Sequence, residues 1–282
     1  MKKLNLKIFA VLLSLLLVMG LALAGCGKEN SGDTDSTDDV EVEVTIYDTE
    51  GTITLAAAAS LEKTFTDELI PLFNERYPNV TFVPTYDSSG KLQTQIEEGL
   101  AADVFFSAAT KQMTALVDGG YIDSADVTEL LENELVLITR KDSGTSVTDF
   151  DNITDAATIA IGDPASVPAG QYAQEALTSL GTWDAVSAKA SLGTNVTEVL
   201  NWVAEGSAEV GIVYATDAAS VSDKVEVIAK VPEGSLQTPV IYPVAKLKAV
   251  SADNAEAVDA FIDFLKSDEV AAIFEKAGFK VL

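Results

Sequence analysis

From residue 52 onward, short apolar runs rich in β-branched and aromatic residues alternate with stretches whose apolar positions recur every three or four residues. The strand-like runs are TITLA (52–56), VTFVPTY (80–86), ADVFFSA (102–108), ELVLITR (134–140), ATIAIGDP (157–164), KASLGT (189–194), EVGIVYATD (209–217), VEVIAKV (225–231) and PVIYPVAKLKAV (239–250). Between them the periodicity predicts helices from Leu61, over about 90–98, through TKQMTALVDGG, over about 170–180, through VTEVLNWVAEG and AASVSD, and finally over 255–266 and 268–276. This alternation predicts an α/β fold with a mostly parallel sheet and helices on both faces. No fixed period repeats, which argues against a solenoid. Upstream, VEVEVTIY (40–47) alternates with period two and predicts an extra strand paired through DTEG to Ile53–Leu55.

The amino-terminal pattern is different. Lys2, Lys3 and Lys7 precede an almost wholly apolar run, Ile8 to Ala24, that closes on Leu23-Ala24-Gly25-Cys26. Residues 1–25 read as a secretory signal with a lipobox-like end, which makes Cys26, the only cysteine, the expected lipidation site. A plain membrane anchor is the competing reading, since the run is nearly long enough to span. Residues 26–39 carry no apolar side chain after Cys26 and read as an acidic flexible tether. The expected location is extracytoplasmic, with the chain held to the cell membrane by the lipid on Cys26.

Composition then excludes several chemistries. A lone cysteine forms no disulfide within the chain and no cysteine-based metal site. The absence of histidine removes Ser-His and Cys-His nucleophile pairs and histidine-based zinc sites. Neighbouring acids such as Glu97 and Glu98 read as a solvated helix face, so no enzyme is expected, although a carboxylate-dependent surface hydrolase stays open. The formal charge of −26 becomes −29 when the three lysines of residues 1–25 are removed. A chain this acidic is not expected to bind nucleic acid or anionic lipid by charge.

Ligands of open α/β sheets sit beyond the carboxyl ends of the strands, so the strand-to-helix turns carry the functional signal. In ITLAAAASL (53–61) the side chains shrink to methyls and Ser60 stands ready to cap the helix at Leu61. YDSSGKL (86–92) puts Ser88, Ser89 and Gly90 at a second helix start. IGDPASVPAGQYA (161–173) places Pro168 near the first helical position, followed by Ala169 and Gly170. LGTNVTEVL (192–200) offers Thr194 or Asn195 as a cap ahead of Val196, and GIVYATD (211–217) carries Tyr214 off a strand end. Each turn alone reads as an ordinary cap, a permissive turn or a buried tyrosine. Together they offer four helix starts and one phenol with no cation. Helix starts carry unpaired N–H donors and about half a positive charge each, so four amount to about two charges. That is a donor-only nest for a small dianion.

AAAASL (56–61), SSGKLQTQIEEGLAADVFFSA (88–108), GDPASVPAGQYAQEAL (162–177) and GIVYATDA (211–218), in this order, resemble the molybdate-binding proteins of ABC importers, over about residues 52–282. The resemblance implies a two-lobed periplasmic binding protein type II fold, each lobe a mostly parallel or mixed sheet flanked by helices, with the ligand between them. Lobe 1 is expected over 40–133 plus 240–282 and lobe 2 over 134–239. It also implies a site in which Ser60 and Ser89 give hydroxyl and N–H bonds, Ala169 and Val196 give backbone N–H bonds, and Tyr214 gives its phenol. Asp87 and Gly90 depart from the Ser- and Thr-rich second turn of that family. The implied function is capture of molybdate or tungstate for an ABC permease, with no cofactor, no metal site beyond the oxyanion, and a monomeric state. Binding of another oxyanion such as sulfate is the alternative. A donor-only site disfavours phosphate, whose remaining proton needs an acceptor, at about 1–3 kcal/mol for an unpaired polar group.

Overall fold

The computed structural model describes residues 45–282. The signal and tether readings, Cys26, and residues 40–44 of the expected first strand lie outside the described residues. In chain order the elements begin with β1 (Gly51–Ala58). A continuous helical stretch follows, made of a 3-10 turn (Ala59–Leu61), α1 (Glu62–Thr64), a π turn (Phe65–Leu69) and α2 (Ile70–Arg76). Next come β2 (Val80–Asp87), α3 (Ser89–Glu97), β3 (Val104–Phe106), α4 (Thr110–Asp118), β4 (Thr128–Asn133), β5 (Leu135–Arg140) and β6 (Ile159–Gly162). Then follow α5 (Pro168–Ser179), α6 (Trp183–Ser187), β7 (Ala190–Gly193), α7 (Val196–Glu205), β8 (Val210–Tyr214), α8 (Ala215–Ser220) and β9 (Val225–Lys230). The chain finishes with β10 (Val240–Lys246), α9 (Ala255–Leu265), α10 (Asp268–Ala277) and β11 (Lys280–Val281).

These strands form two sheets, ordered β11-β4-β10-β3-β1-β2 and β7-β6-β8-β5-β9. The first takes its strands from before residue 134 and after residue 239, and the second from between. Both are mixed rather than mostly parallel. β1 runs parallel to β2 and β3, but β10 is antiparallel to β3 and β4. In the second sheet β6 is parallel to β7 and β8, while β5 is antiparallel to β8 and β9. The antiparallel pairs come from β4, β5, β9 and β10, the strands that flank the two passages between the sheets.

β1 explains the alanine run. It is flanked on both edges and buried on both faces, so Ile53, Leu55, Ala56, Ala57 and Ala58 are all buried. Of the strand expected over 40–47, the described residues 45–47 do not pair with Ile53–Leu55. β2 holds one edge of β1 along its whole length, and β3 holds the other over Leu55–Ala57. Residues 45–50 instead lie outside any strand. The Tyr47 N–H donates to the Arg76 carbonyl at 2.8 Å, and its ring stacks on Tyr77 at 4.7 Å.

The two sheets bring different side chains to one continuous core. Against the first, Phe65 packs edge-on to Phe106 and Phe261, and Phe73 meets Phe82, Phe261 and Phe264 at 5.2–5.6 Å between centroids. Against the second the buried residues are aliphatic: Val136, Ile159, Ile161, Val199, Val203, Val210 and Ile212. Each such side chain contributes about 1.5–3 kcal/mol by leaving water.

Candidate functional site

The turn after β1 tightens at once into the 3-10 turn, so Ser60 lies inside it and does not cap a helix at Leu61. The small side chains of Ala58 and Ala59 permit that tightening, and the Ser60 hydroxyl has another partner, the Tyr242 hydroxyl at 2.9 Å. After β2, Ser88 occupies the cap position of α3 without making a side-chain cap bond, and Ser89 is the first helical residue. Ser89 Oγ accepts from the Ala108 N–H at 2.9 Å, which leaves its hydrogen free to donate. Ser88 Oγ is buried and has no partner.

On the second sheet, Pro168 opens α5 and Ala169 follows it. The helix start sits hard against the end of β6: a Cβ on Gly170 would lie 2.0 Å from the Gly162 carbonyl oxygen. Asn195 caps α7, accepting from the Glu198 N–H at 2.9 Å, so Val196 is its first residue. First-turn N–H groups have no intrahelical acceptor, so Ser89, Ala169 and Val196 present free donors. Tyr214 ends β8, is buried, and its hydroxyl has no partner. Burial pushes its phenol well above the ordinary range, and the adjacent Tyr242 adds to the shift, so it stays a neutral donor.

Ser60, Ser89, Ala169, Val196 and Tyr214 all line one cavity, with about 200 Å³ of atom-free space including its mouth. Ala58, Ala59, Asp87, Ser88, Ala108, Val167 and Pro168 complete the lining, so no lysine or arginine faces it. The one acid, Asp87, is already engaged: it accepts from the Ser88 N–H at 2.8 Å, Lys91 at 3.3 Å and Asn195 Nδ2 at 3.2 Å. Ser88 is the lining donor that sequence reasoning left out of the site. Its stretch also reads as a permissive Ser-Gly turn, and only the missing cap bond reveals a free hydroxyl. Among the described residues no group of three or more His, Cys, Asp or Glu side chains is placed to hold a metal ion. A larger groove, about 1240 Å³ on the same measure, opens beside the cavity and shares Ala59 and Ser60, but charged side chains of both signs line it, including Lys63, Asp67, Glu68 and Lys276.

The hydrogen bonds that join the residues around the first sheet to those around the second include Asn133 Nδ2 to Thr216 Oγ1 at 2.9 Å and three more. The Gly90 N–H donates to the Ser166 carbonyl at 3.0 Å, Gln112 Nε2 to Gln171 Oε1 at 3.1 Å, and Asn195 Nδ2 to Asp87 Oδ1. Gly90 must be glycine for this approach, because a Cβ there would sit 2.3 Å from the Ser166 carbonyl oxygen. The departures from the resembled family at 87 and 90 therefore both fall on these ties.

Known proteins resemble this chain in sequence and fold. The chain is 40% identical over 238 residues to the molybdate-binding protein ModA of Escherichia coli (strain K12), covering 82% of this chain and 90% of that one. It is 38% identical over 259 residues to YvgL of Bacillus subtilis (strain 168), provisionally named an ABC transporter substrate-binding lipoprotein, covering 92% and 93%. A solved structure, the substrate-binding domain of a provisionally assigned molybdenum ABC transporter from Clostridium difficile, superposes with a TM-score of 0.62 at 37% identity, covering 82% of this chain and 99% of that one. The family model for bacterial extracellular solute-binding proteins matches residues 53–280. The chain belongs to the bacterial extracellular solute-binding proteins.

Proposed function

We propose that this protein captures molybdate or tungstate outside the cytoplasm, as a receptor anchored through a lipid on Cys26, and delivers the ion to an ABC permease. The convergence of Ser60, Ser89, Ala169, Val196 and Tyr214 on one cavity without a cation carries the reading. Hydroxyls of Ser60 and Ser89, joined by Ser88, donate from one side. The N–H groups of Ala169 and Val196 and the Tyr214 phenol donate from the other. Charge-assisted bonds of this kind contribute about 1.5–3 kcal/mol each, the scale needed to offset dehydration of a dianion. The smaller cavity suits such an ion better than the neighbouring groove, whose acids and lysines would pair with one another or repel it.

The reading divides the chain into lobe 1 (40–133 plus 240–282) and lobe 2 (134–239), which close by hinge motion at the passages between the sheets. The ties Gly90–Ser166, Gln112–Gln171 and Asn195–Asp87 then belong to the closed form. Selectivity follows from the donors. Asp87 Oδ1 already accepts from the Ser88 N–H, Lys91 and Asn195, and the rest of the site presents donors, so the proton of a phosphate is poorly matched there.

Titration calorimetry with molybdate, tungstate, sulfate and phosphate tests the proposal. Molybdate and tungstate are expected to bind within tenfold of each other, sulfate more weakly and phosphate most weakly. Tight phosphate binding with no response to molybdate overturns it.

A further inference from the structure

Ser60 is the one lining hydroxyl bonded to another side-chain hydroxyl, and the bond leads back into a buried polar chain. Asn133 Oδ1 accepts from the Glu134 N–H at 2.8 Å, which fixes the orientation of the amide. Asn133 Nδ2 must then donate, and it does so to Thr216 Oγ1 at 2.9 Å and to the Tyr242 hydroxyl at 3.3 Å. Tyr242 is fully buried, so it keeps its single hydrogen. Its oxygen accepts from Asn133, and Ser60 Oγ, 2.9 Å away, is positioned to take that hydrogen. With Tyr242 as the donor, Ser60 Oγ is an acceptor and its own hydrogen has the cavity to point into. The strand register supports this geometry. The β4–β10 ladder slips between Tyr242 and Pro243, and such an irregularity re-aims a side chain.

We propose that Asn133 and Tyr242 are positioning residues for the oxyanion site, forming a one-way hydrogen-bond chain, Asn133 to Tyr242 to Ser60, that turns the Ser60 hydrogen toward the bound ion. Left alone, a serine hydroxyl in a helical turn is free to donate to a carbonyl of the preceding turn. Tyr242 removes that freedom before the ion arrives, and donors in series polarise one another. The inference rests on the oxyanion reading given above and adds residues that do not touch the ion. Sequence periodicity gives no hint of it, because Tyr242 reads as one more apolar position in PVIYPVAK.

Molybdate affinity measured by calorimetry on detergent-solubilised full-length protein tests it, using Ser60→Ala, Tyr242→Phe and the double variant. Tyr242→Phe is expected to weaken binding about tenfold. The double variant is expected to match Ser60→Ala within about twofold, since Tyr242 acts only through Ser60. A merely structural role for Tyr242 predicts losses that multiply, and that result overturns the proposal while leaving the site reading intact. Unchanged affinity in Ser60→Ala overturns the site reading itself, and the chain with it. If Tyr242→Phe does not fold, 3-fluorotyrosine installed at position 242 supplies a more acidic phenol of nearly the same shape. It is expected to tighten molybdate binding at least twofold with Ser60 present and to have no effect in Ser60→Ala. No tightening with Ser60 present overturns the chain.

Discussion

The two walls of the cavity reach the same donor character by different routes. The wall from the first sheet uses hydroxyls, and two of its three are wired: Ser89 Oγ accepts from Ala108, and Ser60 is joined to Tyr242. The wall from the second sheet uses two backbone N–H groups fixed by helix geometry and a phenol that has no partner at all. A buried, unpaired hydroxyl costs about 1–3 kcal/mol. The second wall therefore stores a cost in the unliganded protein that a ligand removes, whereas most of the first wall is satisfied before binding. Unequal preparation of this kind separates the residues that hold the ion from those whose removal also changes the empty protein.

The largest expected effect on affinity comes from keeping the walls apart. Gly90→Ala places a Cβ against the Ser166 carbonyl, and relieving that overlap should weaken molybdate binding by about 3 kcal/mol. The melting temperature of the unliganded protein is expected to change little, because Gly90 lies at a tie between parts and not in the core. Equal affinity in calorimetry would show that the two parts need not approach so closely.

Asp217 gives a second, pH-dependent test behind the second wall. Burial raises its carboxyl to about 7, partly opposed by the Tyr214 N–H that it accepts. The folded acid thus holds its proton where the unfolded one has lost it. Stability is expected to fall as pH rises from about 4 to about 7 and to level off above, by up to about 4 kcal/mol in all. Chemical denaturation across that range should show the slope in the natural protein and lose its Asp217 share in Asp217→Asn. A slope unchanged by the substitution would contradict the assignment.

Smaller again is the effect that distinguishes the walls most directly. Tyr214→Phe is expected to weaken molybdate binding by about 1.5–3 kcal/mol yet stabilise the unliganded protein by about 1 kcal/mol, because an orphan hydroxyl leaves. Ser60→Ala is expected to weaken binding on a similar scale without stabilising the empty protein, since Tyr242 loses its acceptor. Paired calorimetry and thermal melting read both signs, and a destabilised Tyr214→Phe would erase the contrast. Least affected should be Gln112→Ala, which breaks one part-buried tie to Gln171 at about 0.5–1.5 kcal/mol of ligand affinity.

Much of this architecture is legible in the sequence because local signals agree with the final environment. β2, α3, α5, α7, β8 and α9 announce themselves through periodicity and through turn residues such as Pro168 and Asn195. β4 does not: TELLEN pairs acids with leucines, and only its partners β10 and β11 make it a strand. Of the strand expected from 40–47, the described residues 45–47 are not a strand: the Tyr47 N–H donates to the Arg76 carbonyl and its ring stacks on Tyr77. The turn residues of the cavity stand out only as a set and through the family resemblance, because each turn alone reads as an ordinary cap, a permissive turn or a buried tyrosine. Asn133, Tyr242 and the free hydroxyl of Ser88 do not stand out, because their roles depend on which hydrogen is already committed, and no spacing encodes that.

A cavity without a cation, in a chain of formal charge −26, has a kinetic consequence. The long-range field repels an approaching dianion, so encounter is slowed and the binding energy must come from short-range dipoles after arrival. Added salt screens the repulsion but scarcely reaches enclosed dipoles. Capture should therefore quicken with ionic strength while release stays nearly constant, the reverse of the trend for a receptor that lures its anion with lysines.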